Sequence, residues 1–339
     1  MKEISPVVSS IFVEPHFGQR AVMDFGMQLH LIMFAVFLGH MKKKRLIYIL
    51  IMCTTIFLVL VIGTGFVLYQ TTGFLQTEKI DFVDEKNWDL ANGLIPSSQA
   101  IEFHGTSAKC WVLVHGYTST PDELRELAIK LYLQFNDSVF VPRLYGHGER
   151  PSHLEQYSVD DWYAQVEKVV QENNCTYLVG SSMGASIVLR YAELHDTEGI
   201  VLLGATFRPQ PDYLPVITAT KVIYPLVRYT KKDEPGVTVL DPQGKKAHLS
   251  YWTFPLKGAV ELAEFNEKVF DDIEQVQGRA LFLHASSDTV ASPRAAKRVF
   301  DELRGDKKQF VELSEGDHII MRDYAKEEAA EHILDFRAR

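Results

Sequence analysis

The chain has 339 residues, of which 46% are hydrophobic and 23% are charged, so its apolar content can bury one sizeable core. Its net charge is −9 and its isoelectric point is about 5.8, which argues against the basic surface of a nucleic-acid-binding protein. The three cysteines, Cys53, Cys110 and Cys175, form no C-x-x-C pair, so a zinc site is not expected. The composition indicates a globular protein without a nucleic-acid partner and leaves the oligomeric state open.

The first 40 residues form an N-terminal extension of uncertain status. Residues 25–39 are apolar but short for a membrane span, and they contain Gln28 and His30. The following MKKKR at 41–45 resembles the start of a bacterial protein. Met41 is therefore a candidate for the true start.

Residues 46–69 are predominantly apolar and carry no charge. Because about 20 apolar residues span a bilayer, we predict a transmembrane anchor here. The basic cluster Lys42–Arg45 precedes the stretch and mostly acidic residues follow it, so the positive-inside rule places the basic side in the cytoplasm. The following domain is then expected on the outer, periplasmic side of a single-pass inner-membrane protein. A cleaved signal peptide is the alternative, although its apolar run is usually about 7 to 15 residues long.

A polar stem at 70–98 leads into a domain at 99–339, in which short apolar runs alternate with helical stretches. Continuous apolar runs of this length are typical of strands buried on both faces. They lie at 100–104, 110–116, 138–144, 176–180, 199–205, 279–285 and 309–313.

Helix-start signals fall between these runs. Thr120 followed by Pro121 and Glu123 predicts an N-cap with a capping box, and Ser158 with Asp161 repeats the N-cap pattern. Ser292, which precedes a proline, opens another helix. The alternation predicts an α/β fold, with a mostly parallel sheet of about seven strands and helices on both faces. The interruption at 206–277 is rich in aromatic residues and predicts an inserted cap.

The stretch YLVGSSMGAS at 177–186 contains the pattern G-x-S-x-G directly after a predicted strand. A sharp strand-to-helix turn of this kind exposes its central serine at the carboxyl edge of a sheet. Ser182 occupies the centre and Ser181 a variable position, so we predict that Ser182 is the nucleophile. Taken alone, the motif is also compatible with a serine in a tight turn or a helix cap.

A serine nucleophile requires a base and an orienting carboxylate, which follow it in the chain order Ser, acid, His in this type of fold. Asp288 and His318 each come just after a predicted strand, where their side chains would meet Ser182. Three other histidines have structural explanations: His284 lies inside a strand, His195 ends a helix, and His332 lies on the final helix.

From about residue 99 onward, the chain resembles the α/β-hydrolase superfamily, and more narrowly the bacterial carboxylesterases and monoacylglycerol lipases. The resemblance lies in VLVHGYTSTPDELRELA, VPRLYGHGERP, SVDDWYAQVE, VGSSMGASIVLRYA, ASSDTVASP and SEGDHIIMRDYAKEEAAEHILDF, which follow the family's order. One departure is Asp317, which stands where the family has a glycine before the catalytic histidine. The cap matches less well, so the resemblance is less specific for substrate.

The resemblance implies a catalytic triad of Ser182, Asp288 and His318, and an oxyanion hole formed by the backbone N–H groups of Tyr117 and Met183. It implies an acyl-enzyme mechanism on a small-molecule ester or lipid, with short- to medium-chain acyl esters or monoacylglycerols as substrates. No metal or organic cofactor is implied.

Several further residues of these motifs carry expectations. His115 is expected to bond the oxyanion-loop backbone, and Trp162 to pack a helix. The loop at 146–148 is either a turn or a substrate contact.

Two other functions remain open at this stage. An aminopeptidase or a thioesterase would use the same triad, because function depends on the site rather than the fold. A non-catalytic, membrane-tethered interaction module is a less favoured alternative, since all three triad residue types are present.

Cys110 and Cys175 each stand at the entry to a predicted strand, and the resemblance implies that these strands are neighbours. Export would permit a disulfide between them. Because a bridge requires specific Cβ placement, two buried free thiols are the favoured expectation.

Overall fold

The computed structural model describes residues 43–72, 94–95, 97–208, 220–222, 224, 227–231, 238–251, 253–304 and 307–339. The N-terminal extension at 1–40 and the candidate start at Met41 lie outside these residues. Most of the predicted stem also lies outside them.

An N-terminal helix, α1, spans Lys43–Thr72 and contains the stretch predicted as a membrane anchor. The chain divides at Val67 into two structural units, and most of α1 belongs to the first. Side chains of α1 are described at 47–48 and 50–63, and the large apolar ones among them are exposed. No helix within the described residues is long and apolar enough to cross a membrane. The anchor therefore stays a prediction from the sequence.

The second unit contains a seven-stranded, mostly parallel sheet, as predicted. Within the described residues, the strands are β1 (Ile101–Phe103), β2 (Cys110–Val114), β3 (Ser138–Val141), β4 (Tyr177–Ser181), β5 (Gly199–Leu203), β6 (Tyr229–Lys231), β7 (Thr253–Pro255), β8 (Arg279–Ala285) and β9 (Lys308–Leu313). The main sheet has the order β1-β3-β2-β4-β5-β8-β9, in which β1 runs antiparallel to β3 and the other pairs are parallel. The parallel strands bring their carboxyl ends to one edge.

Helices cover both faces of this sheet. They are α2 (Arg125–Phe135), α3 (Pro151–Leu154), α4 (Val159–Asn173), α5 (Met183–Leu194), α6 (Pro242–Ala247), α7 (Leu256–Asp272), α8 (Pro293–Glu302) and α9 (Lys326–Ala338). Apolar side chains of α2 and α9 form one core with Trp111 and Leu113, while α4, α5, α7 and α8 form the other with Val112 and Val114. The alternation along β2 shows why its continuous apolar run is needed, since both faces are buried.

Of the predicted helix starts, those at Ser158 and Ser292 form N-cap hydrogen bonds and the one at Thr120 does not. Ser158 and Asp161 form a reciprocal capping box, and Ser292 caps α8 by accepting from the backbone N–H of Ala295. The capping box predicted at Thr120 is wrong: its side chain makes no cap hydrogen bond, and a 3₁₀ turn at Pro121–Leu124 precedes α2. Glu123 is buried instead, and its carboxylate accepts from the backbone N–H of Gly116, 3.4 Å away. Tertiary partners thus outcompete the local cap.

The cap predicted at 206–277 falls between β5 and β8, and parts of it lie outside the described residues. Its described part contains α6, α7 and the small antiparallel sheet formed by β6 and β7. Helix α7 packs against α4 and α5, so this end of the cap rests directly on the helical layer above the sheet.

Cys110 and Cys175 form a disulfide, which corrects the expectation of two free thiols. The physical reason is the strand register: Trp111 of β2 is paired with Tyr177 of β4, so the two entry residues lie side by side. Their Cα atoms are 4.5 Å apart, within the range that disulfides span. The bridge joins the strand that leads to the oxyanion loop to the strand that leads to Ser182.

Candidate active site

Ser182 stands at the sharp turn between β4 and α5, where its backbone adopts φ +54° and ψ −116°. A non-glycine residue in such a conformation costs on the order of 1–3 kcal/mol, and strain of this kind clusters at active sites. The turn requires both flanking glycines. A Cβ on Gly180 would lie 2.2 Å from the carbonyl oxygen of Gly184, and a Cβ on Gly184 would lie 2.2 Å from that of Val114.

The side chains of Ser181 and Ser182 have different surroundings. The side chain of Ser181 is buried near the carboxylate of Glu123 and is absent from the cavity wall. The side chain of Ser182 lines a cavity at the carboxyl edge of the sheet. Of the two, Ser182 is therefore the serine placed to meet a ligand.

The structure brings Ser182, His318 and Asp288 into one hydrogen-bonded row. His318 Nε2 lies 2.8 Å from Ser182 Oγ, and His318 Nδ1 lies 2.9 Å from Asp288 Oδ2. Asp288 follows β8 and His318 follows β9, so the carboxyl ends of β4, β8 and β9 supply the three side chains. Since the carboxylate can only accept, Nδ1 carries a proton and Nε2 is left to accept the proton of Ser182.

Three N–H groups donate to the carboxylate of Asp288, and a second histidine lies beside it. Oδ1 accepts from the backbone N–H groups of Val290 and Ala291, at 2.8 Å and 2.7 Å. Oδ2 lies near His318 Nδ1 and also 3.2 Å from Nε2 of His284, the histidine that the sequence assigned to the core. His284 is buried as expected, but it also approaches the side chain that orients His318.

Asp288 and His318 shift each other's pKa values. Burial raises the pKa of Asp288, but attraction to His318 and hydrogen bonds from His284 and His318 outweigh it, so the pKa lies well below its ordinary value. Burial lowers the pKa of His318, but attraction to and hydrogen bonding with Asp288 outweigh that effect, so the pKa lies above its ordinary value. Asp288 therefore stays ionised and favours the imidazolium form of His318.

The two predicted oxyanion residues flank Ser182. Met183 follows it as the first residue of α5, where backbone N–H groups have no partner within the helix. Tyr117 follows Gly116, and a Cβ on Gly116 would lie 3.1 Å from Cβ of Ser182. Tyr117 is held from the cap side, because its hydroxyl donates to the carbonyl oxygen of Pro255 at 2.9 Å.

His115 bonds the backbone of this loop, in the role expected from the sequence. Its Nδ1 lies 2.9 Å from the carbonyl oxygen of Gly116, and its Nε2 accepts from the backbone N–H of Leu144 at 3.3 Å. Burial lowers its pKa to about 4, so the ring is neutral near pH 7.

The loop at 146–148 is a turn. His147 is buried, packs edge-on against Trp162, and is absent from the cavity wall, while Trp162 is itself a fully buried packing residue. Trp162 Nε1 donates to the carbonyl oxygen of Tyr145, which fixes helix α4 to the same loop. Of the two interpretations, a turn or a substrate contact, the turn is confirmed for this loop, since His147 packs inside the fold.

The loop before His318 explains the departure at Asp317. The positive φ, +90°, falls on Gly316, one residue earlier than in the family pattern. The side chain of Asp317 accepts from the backbone N–H of Thr289 at 2.8 Å, which ties the histidine loop to the Asp288 loop.

Asp323 fastens the histidine loop to the cap. Its carboxylate accepts from the backbone N–H groups of Asp317 and Tyr324, and from those of Leu240 and Asp241, which lie within the cap just before α6. This carboxylate is fully buried. Asp323 thus clamps the point at which the cap chain reaches the catalytic edge.

A cavity of about 260 Å³ opens above Ser182. Its walls come from the oxyanion loop, the segment after β5, helix α7 and the histidine loop. They are Gly116, Tyr117, Thr118, Ser119, Ser182, Thr206, Phe207, Arg208, Thr220, Thr238, His248, Ser250, Phe254, Ala259, Val260, Leu262, Ala263, Asn266, Val290, His318 and Ile319. Aliphatic side chains dominate the α7 side of the cavity, as is common in ligand pockets.

Sequence reasoning missed Thr206 as a site residue. Its Oγ1 lies 2.9 Å from Ser182 Oγ, and it follows β5 at the same sheet edge as the triad. The signal available in the sequence was its position just after an apolar strand.

This geometry defines a class: a serine–histidine–aspartate hydrogen-bond row at the carboxyl edge of an α/β-hydrolase fold. Residues 105–325 match the family described as serine aminopeptidase, S33, and the chain belongs to this family. It is 30% identical over 234 residues to the thermostable monoacylglycerol lipase of Bacillus sp. (strain H-257), covering 67% of this chain and 90% of that protein.

Solved structures share the fold. One comes from work on two metagenome-derived lipolytic enzymes, LipS and LipT, and matches with a TM-score of 0.65 and 21% identity over 73% of this chain and 100% of that chain. Another, the monoacylglycerol lipase of Paleococcus ferrophilus, matches with a TM-score of 0.62 and 21% identity over 70% of this chain and 96% of that chain. The protein is thus a hydrolase similar to esterases and monoacylglycerol lipases.

Proposed function

We propose that the protein is a serine hydrolase of carboxylic esters that works through an acyl-enzyme on Ser182. The observation that carries the proposal is the hydrogen-bonded row of Asp288, His318 and Ser182 opening into a largely apolar cavity. A nucleophile within hydrogen-bond reach of a base, itself oriented by a carboxylate, is the arrangement that covalent catalysis requires.

The mechanism follows from these contacts. His318 Nε2 takes the proton of Ser182, whose oxygen attacks the ester carbon and forms the tetrahedral intermediate. The backbone N–H groups of Tyr117 and Met183 stabilise the negative oxygen. His318 then gives its proton to the departing alcohol, and water activated by His318 releases the acid. Asp288 holds the imidazole and stabilises its charged form.

The cavity favours an acyl substrate over a peptide. No carboxylate lines it within the described residues, whereas binding a free N-terminal amine in a desolvated site calls for an acidic partner. The side chains that α7 contributes include Leu262 and Ala263, which suit an acyl chain. Short- to medium-chain esters and monoacylglycerols are the proposed substrates, in line with the lipase relative. Aminopeptidase and thioesterase activities are the alternatives that share the triad.

A substrate panel on the full-length chain tests the proposal. p-Nitrophenyl esters of increasing chain length, monoacylglycerols, amino-acid anilides and acyl thioesters would be compared by kcat/KM. Esters are expected to be the best substrates. Fastest turnover of an anilide or a thioester would assign the triad to an alternative activity, and turnover of none would favour a non-catalytic role.

We further propose that the hydrolase unit is exported and anchored by α1. The basic residues at 42–45, around the start of α1, and the uncharged apolar stretch that follows them support this placement, and so does the disulfide, which persists in oxidising compartments. Alkaline phosphatase fused after residue 339 is expected to be active in a bacterial host. An inactive fusion, beside an active cytoplasmic reporter at the same position, would contradict it. Release of the domain into the periplasmic fraction would indicate a cleaved signal instead.

A further inference from the structure

We propose that Thr206 is a catalytic residue whose hydroxyl donates a hydrogen bond to the attacking oxygen of Ser182, and that Asn266 of the cap helix positions it. Thr206 Oγ1 lies 2.9 Å from Ser182 Oγ, and the residue lines the cavity beside the nucleophile. The inference rests on the proposed role of Ser182 as nucleophile.

The proton count fixes the direction of this hydrogen bond. Ser182 has one hydroxyl proton, which it donates in a hydrogen bond to His318 Nε2. Nε2 can accept because the imidazole carries its proton on Nδ1, which donates a hydrogen bond to Asp288. Ser182 Oγ therefore meets Thr206 as an acceptor. The competing acceptor for Thr206, the carbonyl oxygen of Gly204, lies farther away at 3.4 Å.

A donor at this position acts in both halves of the reaction. During acylation, His318 removes the proton of Ser182, negative charge grows on Oγ, and the hydroxyl of Thr206 stabilises it until the bond to the acyl carbon forms. During deacylation, the bond between the acyl carbon and Oγ breaks, His318 returns a proton to Oγ, and Thr206 again stabilises the departing oxygen. The proton of Thr206 stays on Thr206 throughout, so the reaction balance is unchanged.

The cap holds Thr206 in place through its backbone. The side-chain Nδ2 of Asn266, which is buried on α7, donates to the carbonyl oxygen of Thr206 at 2.8 Å and approaches that of Phe207 at 3.3 Å. A bend at Gly204, where φ is +50°, directs the chain after β5 across the nucleophile. Asn266 is thus a positioning residue that acts through Thr206.

Thr206→Val keeps the shape of the side chain and removes its donor. We expect kcat/KM for a p-nitrophenyl ester, and the rate of fluorophosphonate labelling, to fall about ten- to hundredfold, as expected for a hydrogen bond to an oxygen that becomes charged. Thr206→Ser restores the hydroxyl and should stay within about threefold of wild type on the same scale. Thr176→Val, at the opposite edge of the sheet, is the matched control.

Labelling of wild-type Ser182 separates the two proposals. If Ser182 is not labelled, the proposed function fails. If Ser182 is labelled and Thr206→Val reacts as fast as wild type, only the role of Thr206 fails. Equal losses in Thr206→Val and Thr206→Ser would also overturn it, because the hydroxyl would then not matter. Thr206→Ala decides the same question if the valine variant does not fold.

A double-mutant cycle tests Asn266. Asn266→Ala alone should lower kcat/KM about three- to tenfold, and should change it little in the Thr206→Val background, because residues that share one path are not additive. Additive losses would overturn the positioning role of Asn266.

Discussion

The catalytic edge of the sheet and the cap are built in different ways. At the edge, Ser182 directly follows β4, and Asp288 and His318 lie in the loops just after β8 and β9, so the sheet brings the three residues to one place. The cap meets this edge through a few polar contacts: Tyr117 with Pro255, Thr206 with Asn266, and Asp323 with 240–241. The sheet therefore brings Ser182, Asp288 and His318 together, whereas the cap holds Thr206 and the surrounding loops in place.

The largest expected effect tests the sheet edge itself. Ser182→Ala should lower ester hydrolysis by at least about four orders of magnitude and abolish fluorophosphonate labelling, because Ser182 is the hydroxyl that the described residues place in hydrogen-bond contact with His318 Nε2. Ser181→Ala is the matched control and should keep most of both, since the side chain of Ser181 is buried near Glu123 and does not line the cavity. Labelling that survives in Ser182→Ala would contradict the assignment.

The next effect is on pH dependence. Asp288 raises the pKa of His318 above its ordinary value of 6.5, and the imidazolium cannot accept the proton of Ser182. We expect kcat/KM to fall about tenfold per pH unit on the acid side, with a midpoint above pH 6.5. Initial rates between pH 5 and pH 9 measure this pH dependence. A midpoint at or below pH 6.5 would contradict the pairing of His318 with Asp288.

A smaller effect should come from the cap. A Cβ on Gly258 of α7 would lie 2.2 Å from the ring of Tyr117, so Gly258→Ala must displace that ring and its bond to Pro255. We expect kcat/KM to fall about tenfold, although alanine is the better helix former by about 1 kcal/mol.

The controls for this variant separate crowding from a general effect on α7. Glu267→Ala, at an exposed position of the same helix, should be neutral. The crowding also predicts that Tyr117→Ala, combined with Gly258→Ala, is no worse than Tyr117→Ala alone. An unchanged rate in Gly258→Ala would mean that the cap does not hold the oxyanion loop.

The smallest effect on catalysis is expected from the disulfide between Cys110 and Cys175, at the amino ends of β2 and β4. Replacing Cys110 and Cys175 by alanine should lower the free energy of unfolding by about 2–4 kcal/mol, and leave kcat/KM within about twofold. Urea unfolding measures the change in the free energy of unfolding, and Cys53→Ala is the control. Alkylation of both cysteines in the exported protein before any reduction would contradict the bridge.

The strands and the hydrogen-bonded row of Ser182, His318 and Asp288 could be predicted from the sequence, because apolar runs mark the strands and the three residues lie at or shortly after strand ends. The capping box at Thr120 failed because Glu123 finds buried partners around Gly116 that its immediate sequence does not reveal. Asn266 could not be predicted, because its role depends on a contact between α7 and the segment after β5. The pairing of the cysteines likewise required the register of two strands that are distant in the chain.

The clamp formed by Asp323 has a consequence for how such a protein diversifies. One carboxylate accepts from backbone N–H groups at 240–241 in the cap and in the histidine loop, and backbone groups are present whatever the side chains are. The clamp itself therefore places no constraint on the side chains of the cap, so they can vary without displacing the histidine loop. For protein engineering, a cap segment from a relative can be joined at 240–241 while Thr206, Asn266 and the triad residues are kept.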